Sequence, residues 1–370
     1  MKYKLSFCIV CMNRLHQLKE TLLQNIQDNA DYEELEYIVL DYNSQDGMEE
    51  WAKEHLSSYI DSGKVIYYRT PEPQTFSHSH SKNMAFKLAS GDVICSINAD
   101  HYTGKGFADY VNKAFNDNEN IVLTTIDFHG TQKNYFPAKD VFGRVCVKKT
   151  DFLNVKGFDE RMNRYGNEDF DFINRLEFAG VKRVFIEDFS FLNFITHSQA
   201  ERYSLDEENL YGIYIRYAEP FASELLMMYK DGQFKTGLLI NNTHLHSGDT
   251  CYAYKPKGYR YKLNIKDPGW QKGMWKDTLD GPSIDFYPNG TIPDFRLEKN
   301  IIDTHQVLES KTEDMVYYAL TNVANIKKIM AFDYFFHNRS IMEKNLENRK
   351  IIVNDTCFGD GVLFKNFSSL

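Results

Sequence analysis

The chain has 370 residues, more than a single hydrophobic core usually supports, so one large domain and a smaller companion are expected. A net charge of -9 argues against broad nucleic-acid binding, which selects for basic surfaces. No apolar run approaches the roughly 18 residues of a spanning helix, so no transmembrane segment is expected.

The N-terminal MKYKLSFCIVCMNR is basic and then apolar, but its apolar stretch is too short for a signal peptide and lacks a small-residue cleavage site. Leu5 to Cys11 therefore reads as a first strand, buried on both faces. Leu15, Leu18, Leu22 and Ile26 repeat at helical spacing. Glu36 to Leu40 is a second strand, which ends in the polar loop Asp41-Tyr42-Asn43-Ser44-Gln45-Asp46-Gly47. A helix from Met48 to Leu56 and a strand from Val65 to Tyr68 complete two strand–helix units, the pattern of a parallel sheet.

The stretch from Phe76 to Gly104, FSHSHSKNMAFKLASGDVICSINADHYTG, follows Pro71 and Pro73. Met84 and Leu88 share a helical face, Gly91 stops the helix, and strand Val93 to Ile97 ends in Asn98-Ala99-Asp100-His101. Ligands bind at the C-terminal edge of open α/β sheets, so Asp100 is placed to hold a divalent cation and a diphosphate. An Asp after a strand equally suits a turn or a helix cap.

A helix from Phe107 to Phe115 and strands Ile121 to Ile126 and Val145 to Val147 follow. Tyr165-Gly166-Asn167-Glu168-Asp169-Phe170-Asp171-Phe172 opens a helix that runs to about Phe178. Three carboxylates in its first turn suit the helix dipole, which by itself explains them. Strand Val184 to Ile186 and an apolar stretch then lead to a lone histidine, His197.

From about Ala218 the pattern becomes antiparallel, which divides the chain at 1–217 and 218–370. Tyrosines alternate from Tyr252 to Tyr261, and Pro288-Asn289-Gly290 is a hairpin signal. Trp270 and Trp275 suit either sheet packing or sugar stacking, and His244 with His246 either structure or a metal. A helical region containing Val307, Met315, Tyr318 and Leu320 is expected, then a helix over Met330 to Phe336 and a tail of strand and loop. Of six cysteines, Cys8 and Cys11 form the single Cys-x-x-Cys, on a strand where they face opposite ways; reduced thiols in a cytoplasmic protein are expected.

Several of these pieces, in order, resemble the nucleotide-sugar-dependent glycosyltransferases of the GT-A fold. Family 2 is the broad match, and the C-terminal signature resembles the β-1,4-galactosyltransferases and chondroitin-polymerase-type enzymes. The pieces are Asn13-Arg14, the Asp41 loop, Phe76 spaced from Asn83, Asn98-x-Asp100, Gly157-Phe158 before Gly166-x-Glu168-Asp169, and Ile195-Thr196-His197-Ser198. They span roughly residues 3 to 205. The resemblance implies an α/β GT-A domain with a smaller α+β accessory domain, and a metal-dependent inverting transfer from a UDP-sugar to a glycan or glycolipid acceptor.

It further implies that Arg14, Asp41, Phe76, His78, Asn98, Asp100, Val141 and Tyr165 contact the donor. Asp100 and His197 would hold Mn2+ or Mg2+, Asp169 would be the general base beside Glu168, and Asp171 and Phe170 would face the acceptor. Departures stand beside these matches. Asn98 replaces the first acid of Asp-x-Asp, Phe194 replaces a thioether metal ligand, and Phe170 replaces an acceptor-binding Asp. Val141 replaces a bulky aromatic, which leaves room for an N-acetyl group and favours UDP-GalNAc or UDP-GlcNAc over UDP-galactose. The alternative is a catalytically silent glycan- or sugar-nucleotide-binding protein. A sugar-nucleotide pyrophosphorylase would need a Gly-rich loop that Cys11-Met12-Asn13-Arg14 lacks. Peripheral membrane association and homo-oligomers stay open.

Overall fold

The computed structural model describes residues 1–125, 143–162, 166–196, 210–219, 222–240, 271–278, 281–284, 295–299, 306–310, 316–319 and 323–369. The elements are β1 (Leu5–Cys11), α1 (Leu15–Asp28), β2 (Leu35–Tyr42), α2 (Met48–His55), α3 (Ser57–Asp61), β3 (Val65–Thr70), α4 (His78–Leu88), β4 (Val93–Asn98), α5 (Phe107–Asp117), β5 (Ile121–Thr124), β6 (Val145–Lys148), α6 (Lys149–Asn154), α7 (Glu168–Phe178) and β7 (Lys182–Phe185). Next come β8 (Leu210–Glu219), β9 (Ala222–Tyr229), β10 (Gln233–Ile240), β11 (Gln271–Thr278), β12 (Gly281–Ile284), β13 (Phe295–Lys299), β14 (Gln306–Ser310) and β15 (Val316–Ala319). Helix α8 (Val323–Glu347) and strands β16 (Phe364–Lys365) and β17 (Ser368–Ser369) close the chain. None of the described helices is long and apolar enough to cross a membrane.

Two compact units result: Met1–His197 with Ile341–Leu370, and Ser198–Ser340. The first holds a nine-stranded sheet in the order β17-β16-β3-β2-β1-β4-β6-β5-β7. Strands β3, β2, β1 and β4 are mutually parallel, while β6 runs antiparallel to both β4 and β5. Helices cover the sheet, so β2 is buried along its whole length and reads as an almost unbroken apolar run. The core gathers Phe7 and Ile9 of β1, Leu18 and Leu22 of α1, Val39 of β2 and Phe107 of α5. Because the strands are parallel, Cys11 lies opposite Asp41 and Val10 opposite Asn98. The polar loops after β1, β2 and β4 therefore share one edge of the sheet, where the sequence had placed them.

The chain boundaries fall at 197/198 and 340/341, where the sequence reading divided it once at 217/218. The tail joins the first unit because β3 would otherwise present an open strand edge. Phe364 and Lys365 pair antiparallel with Arg69 and Tyr68, and Asn366 exchanges two hydrogen bonds with the Tyr67 backbone (3.0 and 2.8 Å).

The second unit contains a closed antiparallel barrel, β10-β11-β12-β13-β14-β15-β8-β9. Antiparallel strands were expected there, but Val307 and Tyr318, assigned to a helical region, lie opposite each other on β14 and β15. Short apolar runs fit either period, and β-branched and aromatic residues here favour the strand. The Met330 to Phe336 helix is part of the longer α8. The tyrosine alternation, Trp270, His244, His246 and the Pro288-Asn289-Gly290 hairpin lie outside the described residues.

Candidate active site

Three loops at the sheet edge are fixed by side chain to backbone bonds. Asn13 and Asn43 adopt left-handed backbone (φ 55° and 60°), which Asn tolerates better than most residues. Asn13 accepts from Gln45 N (2.7 Å) and Asp46 accepts from Leu15 N (2.8 Å), so the loop after β2 caps the helix after β1. Asp41 has no exposed surface; its oxygens accept from Ser44 N and from the Tyr67 hydroxyl, each at 2.7 Å. Burial raises its carboxyl above the ordinary range against those hydrogen bonds. With a hydrogen bond on each oxygen, Asp41 shapes the loop after β2.

The Asp100 loop hangs from α1. Thr21 and Asn25 of that helix and Asn29, which caps its C-terminus, recur every four residues and are buried. Thr21 Oγ1 donates to Ala99 O (2.6 Å), Asn25 Nδ2 donates to His101 O (2.9 Å), and Asn25 Oδ1 accepts from Thr103 N (2.7 Å). Asn29 donates to Thr103 Oγ1 (2.9 Å) and accepts from Ala108 N (2.8 Å). On the other side, Ile195 N donates to Asp100 O (2.8 Å), and His101 bridges Phe194. This brings the chain leading to His197 against the Asp100 loop. The Asp100 carboxylate lies 3.7 Å from His101 Nε2, and Asn98 Nδ2 lies 3.4 Å from the same nitrogen. The buried Arg144 guanidinium, bonded to the carbonyls of Phe191 and Tyr102, also acts on Asp100 electrostatically. Burial brings the Arg144 pKa down to about 10.

A second cluster joins α4 to α7. From the end of β2, the Tyr42 ring meets Phe76 edge-on (5.6 Å between centroids), and Phe76 meets His78 (4.6 Å). His78 Nδ1 lies 3.8 Å from Glu168 Oε1. The Lys82 ammonium, on a side chain only 3% exposed, lies 3.1 Å from Glu168 Oε1 and 2.6 Å from Asp169 Oδ1. Glu168 Oε2 accepts from Gly166 N (3.0 Å). Burial pushes the Asp169 carboxyl up to about 6; Lys82 opposes that shift and Glu168 adds to it. For Glu168 burial also works upward, but Lys82 and His78 outweigh it and hold its carboxyl below the usual range. Glu168 and Lys82 thus form a buried ion pair, with a second carboxylate beside it whose proton affinity burial raises.

Sequence reasoning missed Lys82, Thr21, Asn25 and Asn29. The signal for the last three was there, as polar side chains spaced by four beside an apolar stripe. Asp171 is buried among structural partners. It is 1% exposed, its Oδ2 pairs with Arg175 Nε (2.6 Å), and its Oδ1 accepts from Asn345 Nδ2 (2.8 Å). Both bonds lie in the protein interior, so Asp171 supports α7. Phe170 and Arg14 are half-buried, the latter at the start of α1. Val141, Tyr165 and His197 lie outside the described residues.

The described residues contain no group of three or more His, Cys, Asp or Glu able to cage a metal. They do offer Asp100, a single carboxylate fixed at the sheet edge. That donor set fits a hard cation that keeps water and diphosphate oxygens in its shell, which needs only one or two protein carboxylates.

A search of curated proteins finds no match. Among solved structures, the mannosyltransferase PcManGT of Pyrobaculum calidifontis, in complex with GDP-Man and Mn2+, is 16% identical, with a TM-score of 0.41, over 51% of this chain and 56% of that one. TarS 1–349 of S. aureus, in complex with UDP, is 15% identical with a TM-score of 0.40, over 55% of this chain and 63% of that one. A Drosophila β1,4-galactosyltransferase 7 complex with manganese, UDP-Gal and xylobiose is 15% identical with a TM-score of 0.36, over 54% and 73%. The chain thus spans less than two thirds of the first two. Residues 6–188, just under half of the chain, match the sequence profile of Glycosyl transferase family 2, and this segment forms a mostly parallel sheet with flanking helices.

Proposed function

We propose that the chain is an inverting glycosyltransferase that moves a sugar from a UDP-sugar to a hydroxyl of a glycan or glycolipid acceptor, in surface polysaccharide or glycoconjugate synthesis at the cytoplasmic side of the membrane. The observation that carries this reading is Asp169, a buried carboxylate with a pKa pushed up to about 6, at the start of α7 and linked through Lys82, Glu168 and His78 to the sheet edge. Phe76 offers a half-buried ring for a base to stack on, with His78 beside it and Arg14 at the neighbouring loop. Asp100, with His197, would hold Mn2+ or Mg2+. Such a cation, when bound, offsets the negative charge that builds on the leaving diphosphate.

Asp169 takes the acceptor's proton while the acceptor oxygen bonds to the anomeric carbon. The bond from that carbon to the phosphate oxygen breaks, and its electron pair leaves with UDP. A single displacement inverts the anomeric centre, and holding both sugars in line supplies much of the rate. The small Val141 side chain favours an N-acetylhexosamine as the transferred sugar.

The test is UDP release from UDP-GlcNAc and UDP-GalNAc with Mn2+, with simple methyl glycosides as acceptors and water in their absence, for the wild type and Asp169→Asn. Loss of a general base is expected to lower the rate by about 10²-fold or more. Wild-type rates in the variant would remove Asp169 as base. Asn98, Phe170 and Phe194 favour a second reading, a silent binder on the same fold; UDP binding with no UDP release from any donor would support it.

A further inference from the structure

We infer that Lys82 is a positioning residue for the proposed base, locking one oxygen of Asp169 so that the other is presented to the acceptor hydroxyl. The inference rests on the reading of Asp169 as base.

Lysine side chains normally reach for water, and a buried ammonium without partners is strongly disfavoured. Lys82 is nevertheless 3% exposed, over the Phe158 ring (5.2 Å), with its ammonium between the two carboxylates that begin α7. The two carboxylates are not equivalent. Glu168 uses one oxygen on Lys82 and the other on Gly166 N, so it holds the loop and the lysine. Asp169 uses Oδ1 on Lys82, and among the described residues no hydrogen bond falls on Oδ2. One oxygen is therefore fixed and the other is left for a ligand.

The charges point the same way. Two neighbouring carboxylates resist ionising together, and a cation within about 4 Å of both relieves that resistance. The charged and titratable groups that face Asp169 are Lys82 and, through Glu168, His78 from α4, and Glu168 from its own helix. Asp171 on the same helix is already paired with Arg175. With Lys82 present, Glu168 and Asp169 can both be negative at neutral pH, and the Asp169 oxygen that does not bond Lys82 is the one open to a proton. A lysine that merely filled space would leave the acid limb of the rate profile where it is.

The experiment measures kcat/KM against pH for UDP release in the wild type, Lys82→Met, Lys82→Arg, Glu168→Gln and Asp169→Asn, with unfolding curves for each. In Lys82→Met the acid limb is expected to move up by about one pH unit or more, the usual effect of removing an opposite charge at this range, with a lower kcat. Lys82→Arg is expected to keep the limb near its wild-type position. Glu168→Gln, which keeps an acceptor for Gly166 N and removes a neighbouring negative charge, is expected to move the limb down. A folded Lys82→Met with an unmoved limb overturns the inference; if that variant does not fold, an unmoved limb in Glu168→Gln overturns it instead. Failure of the base reading is distinguishable, because Asp169→Asn would then keep both the rate and the limb of the wild type.

Discussion

Asn83, on the second turn of α4, gives the sharpest check on how the site is supported. It is fully buried. Its Nδ2 donates to Phe158 O and Glu160 Oε1 (2.9 Å each), and its Oδ1 accepts from Phe158 N (2.8 Å). Gly157 permits this approach: its φ is +68°, and a Cβ there would lie 2.2 Å from Asn83 Oδ1. In Asn83→Ala the two acceptors keep other donors, since Asn354 Nδ2 reaches Phe158 O (2.6 Å) and Gly359 N reaches Glu160 Oε1 (2.7 Å). The Phe158 N–H loses its acceptor, which costs about 1–3 kcal/mol, and the two lost donations add about 1 kcal/mol each. The sum, about 3–5 kcal/mol, is a large fraction of the roughly 5–15 kcal/mol that holds a domain folded. Asn83→Asp separates hydrogen bonding from packing. It keeps volume and the Phe158 N acceptor, but sets a carboxylate oxygen against Phe158 O and Glu160, so it is expected to destabilise at least as much as Ala. Urea unfolding followed by circular dichroism measures both. An Asp variant within about 1 kcal/mol of wild type, the net worth of one ordinary hydrogen bond, would refute the account.

Two further outcomes follow from the same support. Arg175→Met leaves Asp171 buried beside Asp159 without its cation and is expected to cost about 3–5 kcal/mol, while Asp171→Leu together with Arg175→Met recovers most of it; equal losses in the single and double variants, read by thermal unfolding, would contradict this. Deleting residues 351–370 removes the strand on β3, the Gly359 donor to Glu160 and the tail partners of Lys87, namely Phe358 O and Asp360, and is expected to lower both the unfolding temperature and the rate of UDP release. An unchanged melting curve would show that the tail does not brace α4.

The sheet-edge loops were legible because a parallel sheet writes each buried strand as an apolar run and leaves its polar end unmistakable, as in Cys11 to Asn13, Asp41 to Asn43, and Asn98 to Asp100. The α7 carboxylates were legible as a group, but not their division of labour. Residues two apart on a helix do not share a face, so Asp171 turns inward to Arg175 while Asp169 meets α4. Lys82 carried no local signal, because its partners lie 86 and 87 residues away. Nor did the tail, whose pairing with β3 joins residues about three hundred apart and depends on which edge the rest of the fold leaves open. In the second unit, Val307 and Tyr318 sat in runs too short for their period to be decided.

The charge around Asp100 leads to a last expectation. In an Asp-x-Asp pair two carboxylates would face a cation; here Asn98 contributes none, and the buried Arg144 acts on Asp100 as a counter-charge. One negative charge partly offset by a guanidinium attracts a divalent ion weakly. A UDP diphosphate brings the missing negative charge and several oxygen ligands, so cation and nucleotide should each strengthen the other's binding, by the same factor in both directions. On the reading of Asp100 as the protein ligand, Mn2+ titrated alone should bind poorly, and UDP should tighten it by a factor that Asn98→Asp reduces, because the added carboxylate strengthens the site for the bare ion. Calorimetry of Mn2+ with and without UDP reads this without any turnover. Mn2+ affinity that is high and indifferent to UDP would mean that the cation is held by residues other than Asp100.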